Sequence, residues 1–229
     1  MKTFNLSPTR FCLLALAAQM VLSAPAEAQS MQTPSSEPPA MDEQREVALA
    51  LSACPPSVAN KAAVYVLDKA GYVKVRDSEN GFTAIVQHSL PNSQEPRCMD
   101  AEGTRTHLPR LLKVAELRAQ GRSPEEIKRF VADAFAKGIF QAPTRPGVDY
   151  MLSTENLVTV DEAKGIVAPF PPHVMFYGPY LTNADLGSDG SPGGPAFVAA
   201  EGTPHALIIV PVGVHAGLGH PDQRPGGSQ

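Results

Sequence analysis

The period of the apolar positions changes several times along the chain. Residues 42–53 place Val47, Leu49, Ala50 and Leu51 on a short helix, which Pro55 and Pro56 stop because proline has no N–H to continue it. Three runs rich in β-branched and aromatic residues follow, at 63–67 (AVYVL), 72–76 (YVKVR) and 82–87 (FTAIVQ). Each separator ends in glycine, and the second contains Asn80-Gly81, a strong hairpin signal. The pattern predicts a three-stranded antiparallel meander. Its middle strand alternates Tyr72, Lys74 and Arg76 with Val73 and Val75, so one side should face water.

Residues 104–120 carry Leu108, Leu111, Leu112 and Ala115 on one stripe and read as a helix ended by Gly121. Ser123, Pro124 and Glu126 then spell an N-cap, a first-turn proline and a capping box. Ile127, Phe130, Val131, Ala134 and Phe135 recur at helical spacing up to Gly138. Beyond Gln141, short apolar runs stand between prolines and glycines, at 150–152, 157–160, 174–177, 196–199 and 206–212 (ALIIVPV). The expected fold is α+β, a helical hairpin packed on an antiparallel sheet made of the meander and the C-terminal strands.

The two ends differ from this middle. Lys2 and Arg10 precede an apolar run at residues 11–22 (FCLLALAAQMVL), and Ala26-Glu27-Ala28 supplies small residues for cleavage. That is a secretory signal, and the run falls short of the about 20 residues a membrane span requires. The expected organisation is a signal at 1–28, a Pro- and Ser-rich disordered leader at 29–41, one α+β domain at 42–214, and a disordered tail at 215–229. A periplasmic or secreted location follows, with no membrane anchor after cleavage. Leu51-Ser52-Ala53-Cys54 has the form of a lipoprotein box, but the charged 41–46 (MDEQRE) stands where an apolar core is required.

Export changes the meaning of the cysteines. Cys12 leaves with the signal, and an even pair, Cys54 and Cys98, remains for an oxidising compartment to bridge. The loop so closed is about 45 residues, for which chain entropy gives roughly 4 kcal/mol as an upper figure. The net charge of −4 becomes one unit more negative when Lys2, Arg10 and Glu27 leave. An acidic chain without a basic stripe excludes phosphate-backbone binding, so no nucleic-acid partner is expected.

Candidate chemistry is sparse. Residues 187–197 (GSDGSPGGPAF) approach the serine-protease nucleophile loop, but Pro192 removes an N–H that an oxyanion hole needs. Asn183, Asp185 and Asp189 miss the calcium-loop template and are read as turn residues. Cys54 and Cys98 lack partners at zinc spacing, and no cofactor motif or metal set occurs. His173 and His205 each follow proline and open an apolar run, so each ring sits at the mouth of a strand. With Tyr177, Tyr180 and Asp185 they form the candidate ligand site. The leading expectation is a binding or interaction module for a small molecule or an envelope protein. The alternative is a small hydrolase or metal-assisted enzyme using a pocket at His173 and His205.

The segments 63–67 (AVYVL), 71–74 (GYVK), 80–83 (NGFT), 100–103 (DAEG), 150–153 (YMLS), 171–177 (PPHVMFY) and 180–185 (YLTNAD) resemble a family of exported bacterial proteins of unknown function. The resemblance spans about residues 62–212. It implies a bacterial, periplasmic setting and brings no activity or site residue.

Overall fold

A computed structural model describes residues 41–161 and 164–212. Ten strands form in chain order: β1 (Ala63–Asp68), β2 (Gly71–Arg76), β3 (Thr83–Gln87), β4 (Glu95–Met99), β5 (Val148–Met151), β6 (Leu157–Asp161), β7 (Ile166–Pro169), β8 (His173–Tyr177), β9 (Phe197–Ala199) and β10 (Leu207–Pro211). The helices are α1 (Glu43–Ser52), α2 (Pro56–Ala59), α3 (Ala101–Thr106), α4 (Leu108–Ala119) and α5 (Pro124–Ala136). Eight strands make one sheet in the order β2-β1-β3-β4-β5-β8-β10-β9, and β6 and β7 pair separately. The architecture is α+β with a mostly antiparallel sheet. The expected signal at 1–28, the expected leader up to residue 40 and the expected tail at 215–229 lie outside the described residues.

The N-terminal strands depart from a meander. β1 and β2 form the antiparallel hairpin, but β3 pairs with β1, in parallel, on its other side. Burial explains the order. Ala84, Ile85 and Val86 of β3 are fully buried and need cover on both faces, whereas β2 leaves Val73, Lys74 and Val75 exposed. β2 therefore takes the edge. It also carries the chain back to the start of β1, Arg76 lying opposite Val64, so a short link suffices for the parallel step. That link is pinned there: Glu79 N–H donates to Lys61 O, and the Asn80 amide donates to Val58 O at 2.9 Å. Asn80-Gly81 makes this corner and not a two-residue hairpin.

The helical segment expected over 104–120 starts earlier and is divided. Asp100 caps α3 by accepting from Gly103 N–H at 2.9 Å, and α3 and α4 meet at His107. Pro109 in the first turn of α4 cannot donate, which interrupts the helical ladder there. α5 begins as its pattern predicts: Ser123 Oγ accepts from Glu126 N–H, and the Glu126 carboxylate accepts from Ser123 N–H. β4 went unseen in the sequence. Its residues Glu-Pro-Arg-Cys-Met contain a proline and two charges, yet all five are buried.

Two layers of helix cover the sheet. α1 packs Leu49, Ala50 and Ala53 on Val64, Val66, Ala84 and Val86. On the opposite face α4 sets Leu108 and Leu111 against Ile85 and Met99. α5 packs on α4 through Ile127, Val114 and Leu117. The Cys54–Cys98 disulfide is present, its Cα atoms 5.2 Å apart, and joins the chain just after α1 to β4. No helix among the described residues is long and apolar enough to cross a membrane.

Candidate functional site

The helix-covered face of the sheet changes character at β4. Cross-strand partners share a face, so the pairings Ile85–Arg97, Met99–Asp149 and Asp149–Met175 carry one surface across β3, β4, β5 and β8. Arg97 and Asp149 are 4% and 0% exposed and form an ion pair there. The Arg97 Nε donates to Asp149 Oδ2 at 2.9 Å, and Nη1 donates to Gln87 Oε1 at 2.6 Å. The Gln87 amide in turn donates to Glu95 Oε2 at 2.8 Å, and Ser89 Oγ donates to the same oxygen at 2.7 Å. Burial pushes the Asp149 carboxyl up, and the adjacent guanidinium opposes that push.

Tyr177 closes the upper end of this surface. Its hydroxyl lies 3.1 Å from Asp100 Oδ1 and 3.0 Å from Val148 O, and it donates to them in turn. Burial, then the Asp149 and Asp100 charges, raise the phenol well above its ordinary range. The backbone approaches closely here. A Cβ on Gly103 would sit 2.0 Å from the Tyr177 hydroxyl, and one on Gly147 would sit 2.5 Å from Asp100 Oδ2. Both positions therefore require glycine.

His107, at the junction of α3 and α4, lies against Tyr177, the rings stacked with centroids 4.8 Å apart. His107 is 1% exposed, and neither of its ring nitrogens has a hydrogen-bond partner among the described residues. One turn on, Arg110 is half-buried, and its Nε is likewise buried without a partner. Its pKa falls to about 9 through burial, then through repulsion from Arg97 and Arg118. His107 is lowered to about 2, by burial first and then by the charges of Arg97, Arg110 and His205. His205 is half-buried, stacks parallel on Phe135 of α5 at 5.4 Å, and has an unpartnered buried Nδ1. Burial, then Arg110 and Arg97, bring it down to about 3.

The structure thus divides the five residues singled out from the sequence. Tyr177 and His205 belong to one polar cluster with His107 between their influences. His173 lies on the same strand face as Tyr177 but is 2% exposed, with Nδ1 2.9 Å from Pro171 O and Phe170 edge-on to its ring. Burial lowers its pKa. Tyr180 is 62% exposed on a turn, at φ 66, and its backbone N–H donates to Thr203 O. Asp185 is exposed and accepts from Thr182 N and Oγ1, both at 2.8 Å. Asn183 brackets Val198 by accepting from its N–H at 2.8 Å and donating to its carbonyl at 3.3 Å. These loop residues satisfy turn backbone.

Arg97, His107, Arg110 and Asp149 were not found by sequence reasoning. One signal existed. His107 and Arg110 sit at helical spacing from Leu111 and Val114, so two polar side chains occupy an otherwise apolar stripe. Asp149 gave none, because its ion-pair partner Arg97 is 52 residues away in sequence.

Among the described residues no group of three His, Cys, Asp or Glu side chains could hold a metal ion. Beside the cluster, Pro146, Gly147, Val148, Phe176 and Tyr177 line a shallow depression of about 320 Å³. No family model, no curated protein and no solved structure matches this chain.

Proposed function

We propose that the protein is an exported, periplasmic or secreted binding module for a small molecule, and that the ligand is held at the cluster of His107, Arg110, His205 and Tyr177. The observation that carries this reading is a set of buried polar atoms without partners, at His107, Arg110 and His205. Buried polar groups are nearly always hydrogen-bonded, and each exception costs about 1–3 kcal/mol. Several such exceptions converging on one place mark hydrogen-bonding capacity kept for something other than the fold.

The alternative, a hydrolase using histidine as a base, is less well supported. A general base works best with a pKa near the working pH. His107 and His205 are held at about 2 and about 3. The Tyr177 phenol is displaced in the opposite direction. Export is supported by the disulfide, which suits an oxidising compartment. The partner is then a small molecule met outside the cytoplasm, and neither nucleic acid nor a membrane anchor belongs to this reading.

The test is a thermal-shift screen of small neutral, cationic and anionic molecules against the wild type and His205→Ala. A ligand at about 100 times its dissociation constant stabilises by about 2.7 kcal/mol. The expected result is a compound that shifts the wild type by several degrees and the variant much less. Compounds that shift both equally, or none that shift either, contradict the reading.

A further inference from the structure

We infer that the ligand presents an oxyanion, of the carboxylate or phosphate type, to Arg110, with the imidazoles of His107 and His205 beside it. The inference rests on the binding reading above and specifies its chemistry.

Arg110 lacks a counter-charge among the described residues. Its Nε is buried with no hydrogen-bond partner, and no carboxylate forms an ion pair with it among the described residues. The charges it feels most strongly are two other guanidiniums, those of Arg97 and Arg118. The acids of this face are engaged elsewhere: Asp149 Oδ2 takes the Nε and Nη2 donors of Arg97, and only its buried Oδ1 is left without a partner. Asp100 accepts from Gly103 N–H on one oxygen and from Val148 N–H, at 3.0 Å, on the other, and the Tyr177 hydroxyl meets the first. Glu95 takes donors from Gln87 and Ser89. Glu102 is held by Arg105, Arg145 and the Thr144 N–H. A part-buried cation whose strongest neighbours are other cations is stabilised when an opposite charge joins it.

Access and geometry agree. Arg110 and His205 are half-buried, and His107 is fully buried with its ring stacked on Tyr177. A guanidinium presents a planar fork that matches two oxygens of a carboxylate or phosphate. Neutral imidazole offers one N–H to such an oxygen and gains a proton more readily beside it. The aromatic backing of His205 by Phe135 fixes the plane in which that N–H lies.

The experiment is calorimetric titration of the full exported chain with inorganic phosphate and with acetate. Sodium chloride at matched ionic strength is the control, with glycerol and ammonium as neutral and cationic probes. The proteins are the wild type, Arg110→Gln and, as a folded-state control that keeps charge but loses the fork, Arg110→Lys. Saturable binding of phosphate or acetate is expected in the wild type, weakened about tenfold or more in Arg110→Gln, which is about 1.4 kcal/mol, and less in Arg110→Lys. Equal affinity in wild type and Arg110→Gln overturns the inference. Saturable binding of glycerol or ammonium with both anions silent also overturns it, while leaving the binding reading standing. Silence of every probe in this titration and in the screen above removes both.

Discussion

Asp149 exists where it does because Arg97 does. The pair sits on the covered face of the sheet, with Arg97 4% and Asp149 0% exposed, and neither charge would be tolerated alone. Breaking a buried pair by removing one partner typically costs about 3–5 kcal/mol. Asp149→Asn is therefore expected to lower stability by that amount, read as the shift in urea midpoint at constant m-value. Arg110 is the opposite case, a guanidinium with no such partner among the described residues. The two arginines differ by nothing in their own composition. What separates them is a strand pairing between Met99 and Asp149, which brings a carboxylate to one and not to the other. No local pattern in the sequence encodes that pairing, which is why the cluster was largely invisible there.

At the scale of elements, legibility followed how local the determining interaction is. The start of α5 was readable because Ser123, Pro124 and Glu126 act on one another within four residues. Most strands of the C-terminal half were readable as apolar runs between breakers, but β7 was not among those runs. β3 was readable as a strand but not in its place, since its position beside β1 depends on burial over two faces. β4 was unreadable, because its proline and charges are stabilised only by partners on β3 and β5. The same strand carries Cys98, so the disulfide ties α1 to the middle of the sheet across a separation of 44 residues. Replacing Cys54 and Cys98 together with serine is expected to cost up to about 4 kcal/mol by the chain-entropy model. Thermal unfolding with and without reductant checks it, and mass spectrometry of the unreduced wild type should find the protein two hydrogens light.

For the molecule as a whole, the buried histidines and one buried glutamate predict how stability depends on pH. His107 and His205, at about 2 and about 3, bind protons more weakly folded than unfolded. Each therefore contributes stability that is complete above the unfolded value near 6.5 and declines below it, by about 1.4 kcal/mol per pH unit. His88 and His173, also lowered by burial, act in the same direction. Glu46 has the opposite sign. Burial, only partly offset by the Leu67 N–H it accepts from, raises it to about 7. Its contribution is complete below about 4.5 and is lost as pH rises through 7. As pH falls from about 6.5 to 4.5 the gain from Glu46 offsets only one of the two histidine losses, and below about 4.5 both continue unopposed. Urea unfolding across this range should show a fall with decreasing pH that steepens below about pH 4.5. Glu46→Gln should gain on the wild type as pH rises from about 5 to about 8, by up to ~3 kcal/mol. The account as a whole stands on Arg110 serving a ligand and not the fold, and sites that serve ligands commonly lower the stability of the free protein. The most direct measurement is the melting temperature of ligand-free Arg110→Gln against the wild type in chloride buffer. The account predicts a rise, about 2–4 °C for each kcal/mol relieved in a chain of this size, and a fall would contradict it.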